Sequence, residues 1–141
     1  TINNGTFTVH GGVAASFWPG DPAASITMTG GTLDFVDQSI YIRSTGLTEN
    51  ISGGLIRTGN SFTMHSTATS FNPTGGTIEL YGGTAGTLHM TPGSNFFNID
   101  INKNPGVAVD VISNLLIKSE LILSSGTLNT HSDTYKITIA P

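Results

Sequence analysis

Nine carboxylates and four histidines make up the acid–base and metal-binding repertoire of this chain, which has no cysteine. General acid–base catalysis needs two such groups poised on one face. Only Asp34 and Asp37 lie close together in sequence, and in a strand their odd spacing sends them to opposite faces. The histidines, His10, His65, His89 and His131, show neither an HxH nor an HExxH spacing, so the sequence supports a zinc site only weakly. Without cysteine, thiolate metal sites and a disulfide framework are both excluded. The expectation is a chain with no catalytic, cofactor-binding or metal-binding residue, and hence not an enzyme.

Aromatic side chains offer a different chemistry, stacking on sugar rings. Trp18, Tyr41 and Tyr81 are the candidate glycan contacts. Trp18 stands out because it lies in a Trp-Pro-Gly-Asp-Pro run over residues 18–22. Two prolines so close together preclude a paired strand interior, so this run reads as a loop leaving the body of the fold. Thr-x-Thr pairs at Thr6/Thr8, Thr27/Thr29 and Thr67/Thr69 are out of register with one another and do not build a flat ice-binding face; the β-propensity of Thr accounts for them.

The elements that would position these residues are repeats. Residues 72–80 (NPTGGTIEL) are the clearest copy of a unit in which a Gly-rich turn hands over to alternating apolar and polar residues. The unit recurs at residues 2–9, 26–35, 51–57 and 123–129, with a weaker copy, NPGVAVDVI, at 104–112. Its marker glycines are Gly5, Gly31, Gly54, Gly76, Gly106 and Gly126, at steps of 26, 23, 22, 30 and 20. Short strands at a period in the twenties are what each coil of a β-solenoid requires. Glycine at the corners supplies positive φ, or close backbone approach, in layer after layer. A β-sandwich is the alternative, but it has no reason to repeat one glycine-led unit. Period-two alternation marks strands at Ser25–Phe35, Ser39–Arg43, Ser61–Ser66, Phe96–Ile101 and Tyr135–Ile139. Residues 13–17 read as a small-residue strand, residues 109–123 as strands rather than helix, and residues 44–50 as a loop. Stacking of coils would bring Asp34 near an acid of the next layer.

Composition narrows the function further. Charged residues are 10% of the chain, against about 25% in ordinary domains. The five cations, Arg43, Arg57, Lys103, Lys118 and Lys136, are scattered singly, so no patch exists to neutralise phosphates and nucleic-acid binding is not expected. No apolar run reaches the roughly 20 residues of a membrane span. The length of 141 residues fits one domain, residues 1–141. With no leader pattern and Thr at position 1, the chain is expected to be a trimmed or excised piece of a longer protein.

The segments NPTGGTIELYGG (72–83), FFNIDINKNPGVAV (96–109) and LLIKSELILSSGTLNTHSDTYKITI (115–139) resemble the degenerate repeats of very large bacterial surface proteins, of the kind found in Bacteroidetes-like organisms. The resemblance covers about half the chain. It implies a right-handed parallel β-helix, export to the cell surface, and a stalk or adhesive role, and it carries over no functional residue. The reading is thus an all-β, parallel β-helix of about six coils. It forms a non-catalytic extracellular rod that continues end to end, with neighbouring repeats or with further subunits, and contacts surface glycans. A carbohydrate-binding module and a polysaccharide lyase-like fragment are the rival functions.

Overall fold

The computed structural model describes residues 1–10, 25–43, 45–68 and 70–140. The expected strand at 13–17 and the Trp18 loop lie outside the described residues. Thirteen strands follow one another: β1 (Thr6–Val9), β2 (Ser25–Met28), β3 (Thr32–Phe35), β4 (Ile40–Ile42), β5 (Thr48–Thr58), β6 (Phe62–Met64), β7 (Gly75–Gly82), β8 (Gly86–His89), β9 (Phe96–Lys103), β10 (Ala108–Val111), β11 (Leu115–Ser125), β12 (Thr127–Thr130) and β13 (Ile137–Ile139). Every ladder between them is parallel. A two-residue hairpin cannot join parallel neighbours, and here the connection is the rest of the turn. The chain is a β-solenoid, and the sandwich alternative falls with its antiparallel pairing.

One register position gives the true period. Thr6, Thr32, Leu55, Thr77, Asn98 and Glu120 pair in sequence, at steps of 26, 23, 22, 21 and 22 residues. These six rungs make about five turns. The larger sheet runs β1-β3-β5-β7-β9-β11-β13 with β2 paired to β5, and the smaller sheet runs β12-β10-β8-β6-β4. Strand β5 pairs through residues 48–51 with β2 and through residues 55–58 with β3, so the larger sheet wraps two sides of the coil. Residues 44–50 are therefore not all loop, as the sequence suggested. Thr48, Glu49 and Asn50 find backbone partners in β2, and a polar composition does not prevent an outer strand from forming when a ladder is there to join.

The core consists of files of side chains that climb the axis. Leu33, Ile56, Ile78 and Ile99 form one; Phe35, Thr58, Leu80 and Ile101 form the next; Ile40, Phe62, Leu88 and Val111 form a third on the smaller sheet. All twelve are buried. Burying each aliphatic or aromatic member contributes about 1.5–3 kcal/mol. Thr58 is the polar member. Its hydroxyl donates to the Gln38 carbonyl and accepts from the Asn60 N–H at 3.1 Å, which satisfies it in place. Phe62 and Phe96 meet edge to face at 5.1 Å, with Phe71 5.4 Å from Phe62, and all three are buried.

The marker glycines divide between two corners. Gly5, Gly31, Gly54 and Gly76 each precede a rung of the larger sheet, with φ of 79, 74, 89 and 82°. A Cβ on Gly31 would stand 2.7 Å from the Gly5 carbonyl oxygen, and one on Gly54 would stand 2.9 Å from the Gly30 carbonyl. Stacked backbone leaves no room there for a side chain. Gly106 and Gly126 also adopt positive φ, 81 and 89°. They lead instead into the smaller sheet, where Thr127 pairs with Ala108. They are not further copies of the first four, so the steps of 30 and 20 disappear. Above Gly76 the first corner is held by Phe97, and above Phe97 a bulge sets Lys118 and Ser119 against that single residue.

Candidate functional site

Outward-facing positions of β3, β5, β7 and β9 bring ionisable side chains into one file: Asp34, Arg57, Glu79 and Asp100. Residues far apart in sequence become direct neighbours because each turn places the same position over the last. Arg57 stands between two acids, with its Nε 3.0 Å from Glu79 Oε2 and 4.0 Å from Asp34 Oδ2. The nearer contact is Coulombic rather than directed, since Nε makes no aligned hydrogen bond. Tyr81, at the end of β7, lies across the guanidinium with Arg57 Cζ 3.9 Å from its ring centroid. Its phenol donates to Asp34 Oδ1 at 2.8 Å, and Asn102 Nδ2 donates to Glu79 Oε1 at 2.8 Å. Burial, then the hydrogen bond and the negative charge of Asp34, push the Tyr81 phenol up to about 12.

One guanidinium thus serves two carboxylates, and a phenol keeps its proton against one of them. The arrangement clamps three successive layers. Cross-strand pairs of opposite charge contribute about 0.2–1 kcal/mol each. The layer after Asp34 supplies a base, not a second acid. The same geometry interrupts any Thr array: the outer files read Thr6-Thr32-Leu55-Thr77 and Thr8-Asp34-Arg57-Glu79-Asp100.

Tyr41 lies on the smaller sheet, away from Tyr81. Arg43 Cζ is 5.1 Å from its ring centroid, and His65 meets its edge at 6.3 Å. A groove of about 340 Å³ beside it is lined by Thr63, Met64, His65 and His89. His89 Nδ1 faces the Met64 carbonyl at 2.7 Å, and His65 Nδ1 faces Thr67 Oγ1 at 2.9 Å. The fold therefore does not unite the three aromatic candidates: Tyr41 and Tyr81 occupy different sheets, and Trp18 is outside the described residues. His10 and His131 are exposed. Among the described residues, no three His, Cys, Asp or Glu side chains come close enough to hold a metal ion.

Lys103 departs most from the sequence reading, which counted it among the scattered cations. It is 1% exposed. Its ammonium donates to the carbonyls of Gly59 (2.8 Å), Tyr81 (2.8 Å) and Asn60 (3.3 Å), which belong to two earlier layers. Burial pushes it down to about 8. A signal was available: Ile99 and Ile101 point inward, and Lys103 shares their parity in β9.

No family model, no curated protein and no solved structure matches this chain.

Proposed function

We propose that this chain is a non-catalytic, extracellular structural rod whose terminal layers seat further layers, in a surface stalk or a self-stacking fibre. The observation that carries the reading is where apolar surface is left uncovered. Phe7 is 60% exposed, Leu123 61% and Ile139 50%. Each is the end member of an inward file: Phe7 stands beyond Leu33, Leu123 beyond Ile101, and Ile139 beyond Ile117. Among the described residues, β1 and β13 are each paired on one side only, and an open parallel edge templates another strand. A solenoid in which each layer is covered only by its neighbours needs either a polar cap or another layer at such a place. Head-to-tail contacts of this kind do not close, so they extend into filaments. Low charge and the lack of cysteine fit an exposed, thiol-free rod.

Sedimentation of the chain over a wide concentration range, together with thermal unfolding of a two-copy tandem fusion, tests the reading. Mass should rise with concentration, Phe7→Ser and Leu123→Ser should each suppress that rise, and the fusion should melt above the single unit. A monomer at every concentration combined with a fusion whose halves melt like the single unit refutes it.

A further inference from the structure

The two sides of the larger sheet carry different numbers of layers. Among the described residues, the first side stacks seven: residue 2, β2, residues 48–51, 71–74, 94–96 and 115–117, and last β13. The second side stacks six: β1, β3, residues 55–58, β7, and residues 98–103 and 120–123.

An end-to-end contact between two copies must reconcile those counts. If β1 of an incoming copy continues the second side, Thr6, Phe7, Thr8 and Val9 fall over Glu120, Leu121, Ile122 and Leu123, because each pair holds the same position along the stack. Phe7 and Val9 then cover the inward files that end at Leu121 and Leu123. In that seating, residue 2 of the incoming copy and β13 of the first copy compete for one place. Seating residue 2 above β13 instead lifts β1 by a layer and leaves a slot one strand wide, about 4.8 Å, over Leu121 and Leu123.

The weaker competitor is the incoming N-terminal stretch. A single bridge ties it to β2: the Ile2 N–H donates to the Thr27 carbonyl at 3.0 Å, and the Ile2 carbonyl accepts from the Thr29 N–H at 3.1 Å. One side-chain bond, Thr29 Oγ1 to Asn3 Oδ1 at 3.1 Å, supports it. By contrast, β13 pairs with β11 at three positions. The Lys136 carbonyl accepts from the Leu115 N–H at 2.8 Å, and the Ala140 N–H donates to the Ile117 carbonyl at 2.9 Å. Backbone direction alternates along a strand, so the N–H and C=O groups of Ile137 and Ile139 point to the open edge. Side-chain parity matches as well. Ile137 and Ile139 lie over buried Leu115 and Ile117, while on β2 Ile26 packs against the core and Met28 is buried. Ile139 can therefore take over both backbone bonds of Ile2, and Ile137 can add a second pair.

We propose that two copies join by strand exchange: β13 of one displaces residues 1–3 of the next and pairs with its β2, Ile139 against Met28. The proposal rests on the end-to-end stacking described above and adds the partner strand and the register. The seam continues the parallel ladders and inward files that already join the layers of one copy. An added edge strand draws affinity from main-chain hydrogen bonds and specificity from alternate side chains.

Disulfide trapping reads the register, because the chain has no cysteine and stacked positions lie within the Cα spacing a disulfide spans. Positions 27 and 138, like 8 and 122, belong to opposite ends of one copy, so a link between them joins two copies. The double variants Thr27→Cys/Thr138→Cys and Thr8→Cys/Ile122→Cys should each oxidise to a ladder of covalent oligomers. In sedimentation, Ile2→Pro removes the N–H bonded to Thr27 and should strengthen association about fivefold. Ile139→Pro removes an edge-facing N–H, leaves the bonds to β11, and should weaken association by about as much. Association with the 8–122 link but without the 27–138 link overturns the exchange and leaves stacking in place. So does an Ile2→Pro variant that associates more weakly than the parent, or an Ile139→Pro variant that associates equally well. A chain that stays monomeric at every concentration overturns both.

Discussion

Raising the pH above 8 should stabilise this fold, and Lys103→Met should abolish the gain. The buried ammonium is pushed from 10.5 down to about 8 by desolvation. Below pH 8 both folded and unfolded chains hold the proton, and the cost of burying it is constant. Between 8 and 10.5 the unfolded chain still holds a proton that the folded chain has released, so stability increases with pH across that window. The gap of 10.5 − 8 = 2.5 units corresponds to about 3 kcal/mol. That figure is a ceiling, because the carbonyls of Gly59, Asn60 and Tyr81 favour the charged form and act against desolvation. Tyr81 acts with the opposite sign: its phenol is raised from 10.0 to about 12, so the folded chain keeps a proton that the unfolded chain loses. That stability is present below pH 10 and disappears as the pH climbs toward 12. The stability curve should therefore crest near pH 10. Urea unfolding followed by far-ultraviolet circular dichroism, at intervals from about pH 7 to about pH 11, reads the effect as a midpoint shift at constant slope. A midpoint that is flat or falls between 8 and 10 in the parent, or a Lys103→Met variant with the same rise, refutes the reasoning.

Two further outcomes follow from the same geometry. Gly54→Ala should destabilise the fold by roughly 1–3 kcal/mol more than Gly82→Ala. Both have positive φ, but a Cβ on Gly54 meets the Gly30 carbonyl at 2.9 Å whereas one on Gly82 meets nothing within 4 Å; equal losses in urea midpoint would show that stacked backbone is not what demands glycine. Tyr81→Phe removes the hydrogen bond to Asp34 and should cost about 0.5–1.5 kcal/mol. In a spectrophotometric titration it should also delete the phenol that ionises last, and a variant that retains a step near 12 would reassign that step.

The solenoid was legible because its causes are local and repeated. Gly31, Gly54 and Gly76 recur at nearly constant steps, and alternation around Ile78 and Ile99 names the inward side chains without any knowledge of contacts. What escaped depends on which position lies over which. Gly106 looks like Gly76 in sequence, since an Asn-Pro pair stands shortly before each and an alternating run follows; only pairing to the smaller sheet separates them. Asp34, Arg57 and Glu79 are 23 and 22 residues apart, and no single-turn pattern announces that they touch. Composition likewise hid Lys103, because a cation is assumed to face water until strand parity is applied to it. The bulge at Lys118 and Ser119 was invisible for another reason. It arises where the repeat fails, and a search for regularity passes over such places.

The step of 22 residues between Leu55 and Thr77 has an evolutionary corollary. Cutting the chain before two stacked positions and rejoining it there removes one whole storey and leaves the floors above and below facing the same kind of neighbour. Gain or loss of such a block changes the height by one strand spacing, about 4.8 Å, and leaves the cross-section as it was. Reach thus becomes a quantity that recombination can adjust in uniform increments.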